Sequence, residues 1–186
     1  MLKHFTIREL VFIALMAAAL FVLNLAIGAG VVAATGIPLS SGFVTAITMG
    51  IWALLLIKIV PKFGTLTMFF LIYSILELPT ALGGAPGFWP KIPINAITGL
   101  VGDLFLMLTK YRTWSIFVAF YVLALANLST FLFFLWVLGL PGIEKTLAIF
   151  HFLILAYWVL GTIGILLGFV IHKRIKDKRV IRQITG

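Results

Sequence analysis

From Leu10 to Ile57 the chain carries no formally charged residue. A helix needs about 20 mostly apolar residues to cross a bilayer's hydrocarbon core. This one stretch therefore has room for two crossings, parted by the small and helix-breaking residues between Gly28 and Gly42, above all T-G-I-P-L-S-S-G. The rest of the chain is alike: 63% of its 186 residues are hydrophobic and 10% charged. Soluble domains carry roughly 45–50% apolar and about 25% charged residues. No water-soluble core of this size could hide so much apolar surface, so the chain is read as integral to a membrane.

The apolar runs divide into spans at about 9–28, 42–60, 64–82, 92–109, 113–138 and 146–171. The last ends in the basic tail His172-Lys173-Arg174-Ile175-Lys176. The expected architecture is all-α: six transmembrane helices in one compact bundle, a single membrane domain over 1–186. The first run is long for a signal-peptide core and is read as a retained span.

Basic residues set the orientation. Lys3, Arg8, Lys58, Lys62, Lys110, Arg112, Lys173, Arg174, Lys176, Lys178, Arg179 and Arg182 fall on one side of such a bundle, and only Lys91 and Lys145 on the other. The positive-inside rule then puts both termini in the cytoplasm of a multi-pass cell-membrane protein, which requires an even number of crossings. The net charge of +9 is thereby explained by topology, and no nucleic-acid partner is implied.

Several chemistries are missing. There is no cysteine, and His4, His151 and His172 are scattered, so no metal site is expected. The chain has no G-x-x-x-x-G-K-[ST], H-E-x-x-H or G-x-S-x-G. Neither an enzyme nor a cofactor is expected. The predicted task is to bind or move a molecule, with energy from other chains or from a gradient.

Polar residues within the spans are the functional candidates, because they are costly at membrane depth. They gather around the hairpin 73–103, where Glu77 and Asp103 stand apart from the basic clusters. At about 1.5 Å of rise per residue, Asn24, Glu77, Lys91 with Asn95, Asn127 and His151 all fall in the outer third of the bilayer, on five different helices. Trp158 lies two turns below His151 on its face. Polar groups there should turn inward and meet, which predicts an outward-facing pocket roofed by loops 28–42 and 83–90. Each has a second reading. Glu77 could serve the kink at Pro79, and the asparagines could bridge helices. His151 could be a satisfied core histidine, Lys91 could snorkel, and Trp89 and Trp136 could anchor the interface. Asp103, in the inner half, is expected to pair with a basic residue or take part in coupling.

Small residues form a second pattern, Ala14 and Ala18 with Ala17 beside them, and Gly164 with Gly168. Such pairs admit another helix, from the same chain or from a partner.

With these alanines, its size and its basic inner side, the chain resembles the substrate-binding (S) components of energy-coupling-factor (ECF) vitamin transporters. The stretch E-L-P-T-A-L-G-G-A-P-G, then G-L-V-G-D-L-F-L-M-L-T-K-Y-R, is similar to the branch linked to hydroxymethylpyrimidine or thiamine uptake. Its matching elements are Glu77, Gly83 to Gly87, Gly99 with Asp103, and Tyr111 with Arg112. The resemblance implies a high-affinity binding subunit of an ABC-type importer. Its partners would be a small-molecule substrate, a transmembrane coupling subunit docked on Ala14, Ala17 and Ala18, and two ATPase subunits. Glu77 would accept hydrogen bonds from an aminopyrimidine or balance a thiazolium charge. Tyr157, Trp158 or Trp89 would stack on a ring, and His151, Asn24, Asn95, Asn127 and Lys91 would complete the site. Three alternatives stay open: the same class that the resemblance implies with another vitamin or modified base as ligand, a stand-alone proton-coupled transporter using Glu77 and Asp103, or a membrane scaffold with no ligand.

Overall fold

The computed structural model describes residues 4–35, 40–82, 85–139 and 143–178, with 181 and 184. All regular structure among them is helical: α1 Ile7–Thr35, α2 Ser40–Ile59, α3 Thr65–Glu77, α4 Lys91–Leu108, α5 Thr113–Val137, a short α6 Ile143–Ala148 and α7 Phe150–Ile175. Among the described residues four segments are long and apolar enough to cross a membrane, Ile7–Gly28 of α1 together with α4, α5 and α7. The apolar segments Thr45–Ile59 and Thr65–Glu77 are shorter. An integral membrane protein with several apolar helices follows from this.

Three boundaries differ from those read in the sequence. Helix α1 continues through Gly28 and Gly30 to Thr35, because glycine weakens a helix without stopping it. Of the expected loop 28–42, residues 28–35 and 40–42 are helical, and 36–39 lie outside the described residues. Helix α3 ends at Glu77 and not near 82, since Pro79 has no N–H to offer the preceding turn; the N–H of Leu78 instead takes the Ile75 carbonyl at 3.3 Å. The last apolar run breaks at Ile149, so α7 starts at Phe150.

A reciprocal cap opens α1. The N–H of Thr6 donates to Glu9 Oε2 at 2.7 Å, and the N–H of Glu9 to Thr6 Oγ1 at 3.3 Å, which satisfies two N–H groups that a helix start leaves bare. Lys62 Nζ pairs with the same Glu9 oxygen at 2.7 Å, fastening the α2–α3 turn to the start of α1. The Lys58 ammonium lies 5.4 Å from the Phe169 ring centroid near the end of α7. The basic segments therefore share one end of the molecule.

The helices close into a ring. Helix α1 packs on α2 and α3, α2 on α7, α7 on α5, α5 on α4, and α4 on α3. The tightest seam is α2 against α7. A Cβ on Gly164 would stand 2.1 Å from the Ile47 carbonyl oxygen, and one on Gly50 would stand 2.3 Å from the Gly161 carbonyl. Gly164 and Gly168 thus serve packing within the chain. On α1, Ala17 is fully buried in the chain's own core, which removes it from any docking face. Only Ala14 and Ala18 lie on the partly exposed side, among exposed Val11, Leu15 and Val22.

Candidate functional site

The site begins with a closely approached pair of helices. Gly99 lets α4 cross the start of α3 so tightly that a Cβ there would meet the Leu66 carbonyl oxygen and Thr67 Cα at 2.7 Å. This brings Asp103, one turn on, under the first turn of α3. Its Oδ1 accepts the N–H of Leu66 at 3.1 Å, and its Oδ2 accepts the N–H of Thr67 at 2.8 Å and the Thr67 hydroxyl at 2.7 Å. A carboxylate at a helix N-terminus satisfies bare N–H groups and complements the helix dipole. The expected basic partner of Asp103 is thus replaced by the main chain of α3, because the glycine contact places the carboxylate there. Beside it, in the α4–α5 turn, Tyr111 turns inward; burial and the Asp103 charge push its phenol up to about 12.

The other end of α3 stops short. Thirteen residues rise only about 20 Å, against roughly 30 Å of hydrocarbon. The carbonyls of its last turn have no helical donor beyond it, and that of Glu77 accepts the Thr80 N–H at 2.9 Å and the Thr80 hydroxyl at 2.8 Å. Lys91 adds to this turn. Its ammonium donates to the carbonyls of Glu77 at 3.3 Å and Thr80 at 2.8 Å, and the residue is 2% exposed. Lys91 is held inside and does not snorkel. Its charge and that of Glu77 act on one another.

Between α2, α3, α4, α5 and α7 these residues enclose a cavity of about 240 Å3. Helix α3 contributes Phe70, Tyr73 and Glu77, and α4 contributes Lys91, Asn95 and Thr98. Asn127 and the rings of Phe120 and Phe131 come from α5, Thr45 and Met49 from α2, and Tyr157 from α7. Asn127 Nδ2 donates to Thr98 Oγ1 at 3.3 Å. The cavity lies toward the end opposite the basic segments.

Of the residues read from sequence, Glu77, Lys91, Asn95, Asn127 and Tyr157 come together here. Asn24 stands one residue behind the wall, with its amide donating to the Tyr73 hydroxyl at 2.8 Å and its carbonyl accepting from Thr48 at 2.7 Å. Tyr73 in turn reaches the Glu77 carboxyl one turn on. Asn24 therefore bridges helices, and its continuation deep inside the longer α1 explains why it is not at an outer rim.

Three candidates are elsewhere. His151 falls in the first turn of α7 and is exposed, because the helix starts later than the apolar run suggested. Trp158 donates its indole N–H to the Phe117 carbonyl at 3.2 Å and packs edge-on to Tyr121, between α7 and α5. Trp89 is 56% exposed and sits edge-on to Phe134.

Tyr73, Thr98 and Thr45 were not legible as site residues. Tyr73 does lie one helical turn before Glu77, a spacing that puts both on one face.

No curated protein and no solved structure matches the chain significantly. A family of bacterial membrane proteins does match, over residues 7–139, a span that contains α1 to α5 and every cavity residue named above except Tyr157. The chain accordingly belongs to the family described as hypothetical bacterial integral membrane protein (Trep_Strep).

Proposed function

We propose that the protein is the membrane-embedded substrate-binding subunit of an ECF-type importer, holding a small water-soluble vitamin or vitamin precursor in the cavity beside Glu77. Thiamine or its hydroxymethylpyrimidine precursor is the best match to the motifs around the hairpin. One observation carries the reading: a largely apolar cavity inside the helix ring that presents a carboxylate, an ammonium and two amides on its wall, with three of its five lining helices long and apolar enough to cross a membrane. Polar groups at that depth are costly unless used.

In this reading six helices cross the cell membrane as one domain, and both termini are cytoplasmic. The collection of basic segments at one end supports that orientation, which turns the cavity toward the outside. The chain itself hydrolyses nothing. A transmembrane coupling subunit and two ATPases would supply energy, and the partly exposed Ala14–Ala18 face of α1 suits close approach of a partner helix. A self-sufficient proton-coupled carrier using Glu77 and Asp103 is less well supported, since both oxygens of Asp103 are committed to α3.

The test is mass spectrometry of small molecules released when the purified protein is denatured. A vitamin-like heterocycle present at near one copy per chain is expected. A protein that releases nothing, and binds nothing from a vitamin panel, contradicts the proposal.

A further inference from the structure

We propose that the cavity selects a net-neutral, partly planar small molecule that offers a hydrogen-bond donor beside an acceptor, and that it rejects permanently charged ones. The inference rests on the cavity being the ligand site. It then chooses between two ligand chemistries that Glu77 could serve alone: accepting a hydrogen bond from a neutral ring, or balancing a cation.

Among the described lining residues two are formally charged, Glu77 and Lys91, 6% and 2% exposed. With both ionised, their charges cancel. The other polar groups on the wall are amides and hydroxyls, which orient a ligand without balancing a charge. Among the described residues no further carboxylate lines the cavity: Asp103 caps the other end of α3, Glu9 pairs with Lys62, and Glu144 and Asp177 are exposed. A bound cation drawn to Glu77 would also meet the Lys91 ammonium, and a bound anion would meet the Glu77 carboxylate. Either would leave one net charge buried in a poorly polarisable site, which is strongly unfavourable. A neutral molecule avoids this. It can donate to the carboxylate and accept from the ammonium, while Phe70, Phe120 and Phe131 cover its ring faces.

The experiment is calorimetric titration of the full-length protein in detergent near neutral pH. Its probes form two matched comparisons: hydroxymethylpyrimidine against thiamine, a permanent cation, and nicotinamide against nicotinate, an anion. The neutral member of any pair that binds should bind at least about ten-fold tighter. A charged probe that binds tighter than both neutral ones overturns the charge argument and leaves the cavity standing as a site. If no probe binds and denaturation releases no molecule, the site itself falls, and this inference with it. Lys91→Gln, which keeps a donor for the Thr80 carbonyl, leaves Glu77 unbalanced. It should raise the thiamine-to-hydroxymethylpyrimidine affinity ratio about ten-fold or more, and an unchanged ratio contradicts the proposal. Should that variant not fold, the wild-type ratios decide alone.

Discussion

Asn24 on α1 and Tyr73 on α3, 49 positions apart in sequence, are joined by a 2.8 Å hydrogen bond with the amide as donor. Both residues are buried, and Thr48 on α2 completes the chain from the other side of the amide. Two helices, α1 and α2, are thereby tied to α3, the one that carries Glu77. The helix with the partly exposed alanine face is in this way mechanically linked to the cavity wall.

That linkage can be measured by a double-mutant cycle with Asn24→Leu and Tyr73→Phe in detergent-solubilised protein. Each single change should lower thermal stability, and the two should be non-additive by about 1 kcal/mol, the usual size of a hydrogen bond between membrane helices. Full additivity would mean that the two side chains do not act as a pair.

Asp103 should behave as a structural cap. Asp103→Ala strips the acceptor from two N–H groups and one hydroxyl at the α3 N-terminus, so it should destabilise the fold by about 2–4 kcal/mol. Ligand affinity, measured below the lowered melting temperature, should change much less. A variant of wild-type stability that has lost ligand coupling would instead assign Asp103 to transport.

Glycines divide by what surrounds them. Alanine is the better helix former by about 1 kcal/mol, so Gly30→Ala, with nothing within 4 Å of the new Cβ, should stabilise by about 0.5–1 kcal/mol. Gly99→Ala and Gly164→Ala drive a Cβ into main-chain atoms at 2.7 Å and 2.1 Å, and each should cost about 1–3 kcal/mol or more despite the propensity gain. Thermal melts of the three variants give the signs; stabilisation at Gly164 would contradict the α2–α7 seam.

The helical, membrane-embedded class was legible because charge-free runs of that length admit little else. Several cavity-lining residues were legible too, since Glu77, Lys91, Asn95 and Asn127 are conspicuous against an apolar background. What escaped was governed by helix ends and by neighbours distant in sequence. The placement of His151 depended on a break at Ile149 that no proline or glycine marks. The fate of Asp103 depended on how closely Gly99 lets α4 approach α3. The polar character of Asn24 was correctly read, but its use as a bridge depended on Tyr73, a residue that blends into an aromatic-rich helix. The T-x-x-E signature at Thr6 to Glu9 is, by contrast, a local signal that the fold uses as written.

The central claim is that a small molecule sits in the cavity beside Glu77. The most direct measurement is the affinity of the released or panel-identified ligand for wild type, Glu77→Gln and Ala124→Phe, with a melting curve for each. Ala124 lines the cavity, so a phenyl ring there would occupy much of its 240 Å3. Loss of a bond to the carboxylate, worth about 1.5–3 kcal/mol, should weaken binding by about 10- to 100-fold in Glu77→Gln. Ala124→Phe should abolish binding, with melting behaviour near that of wild type. Wild-type affinity in either folded variant would mean that the ligand binds elsewhere and that this cavity is not the site.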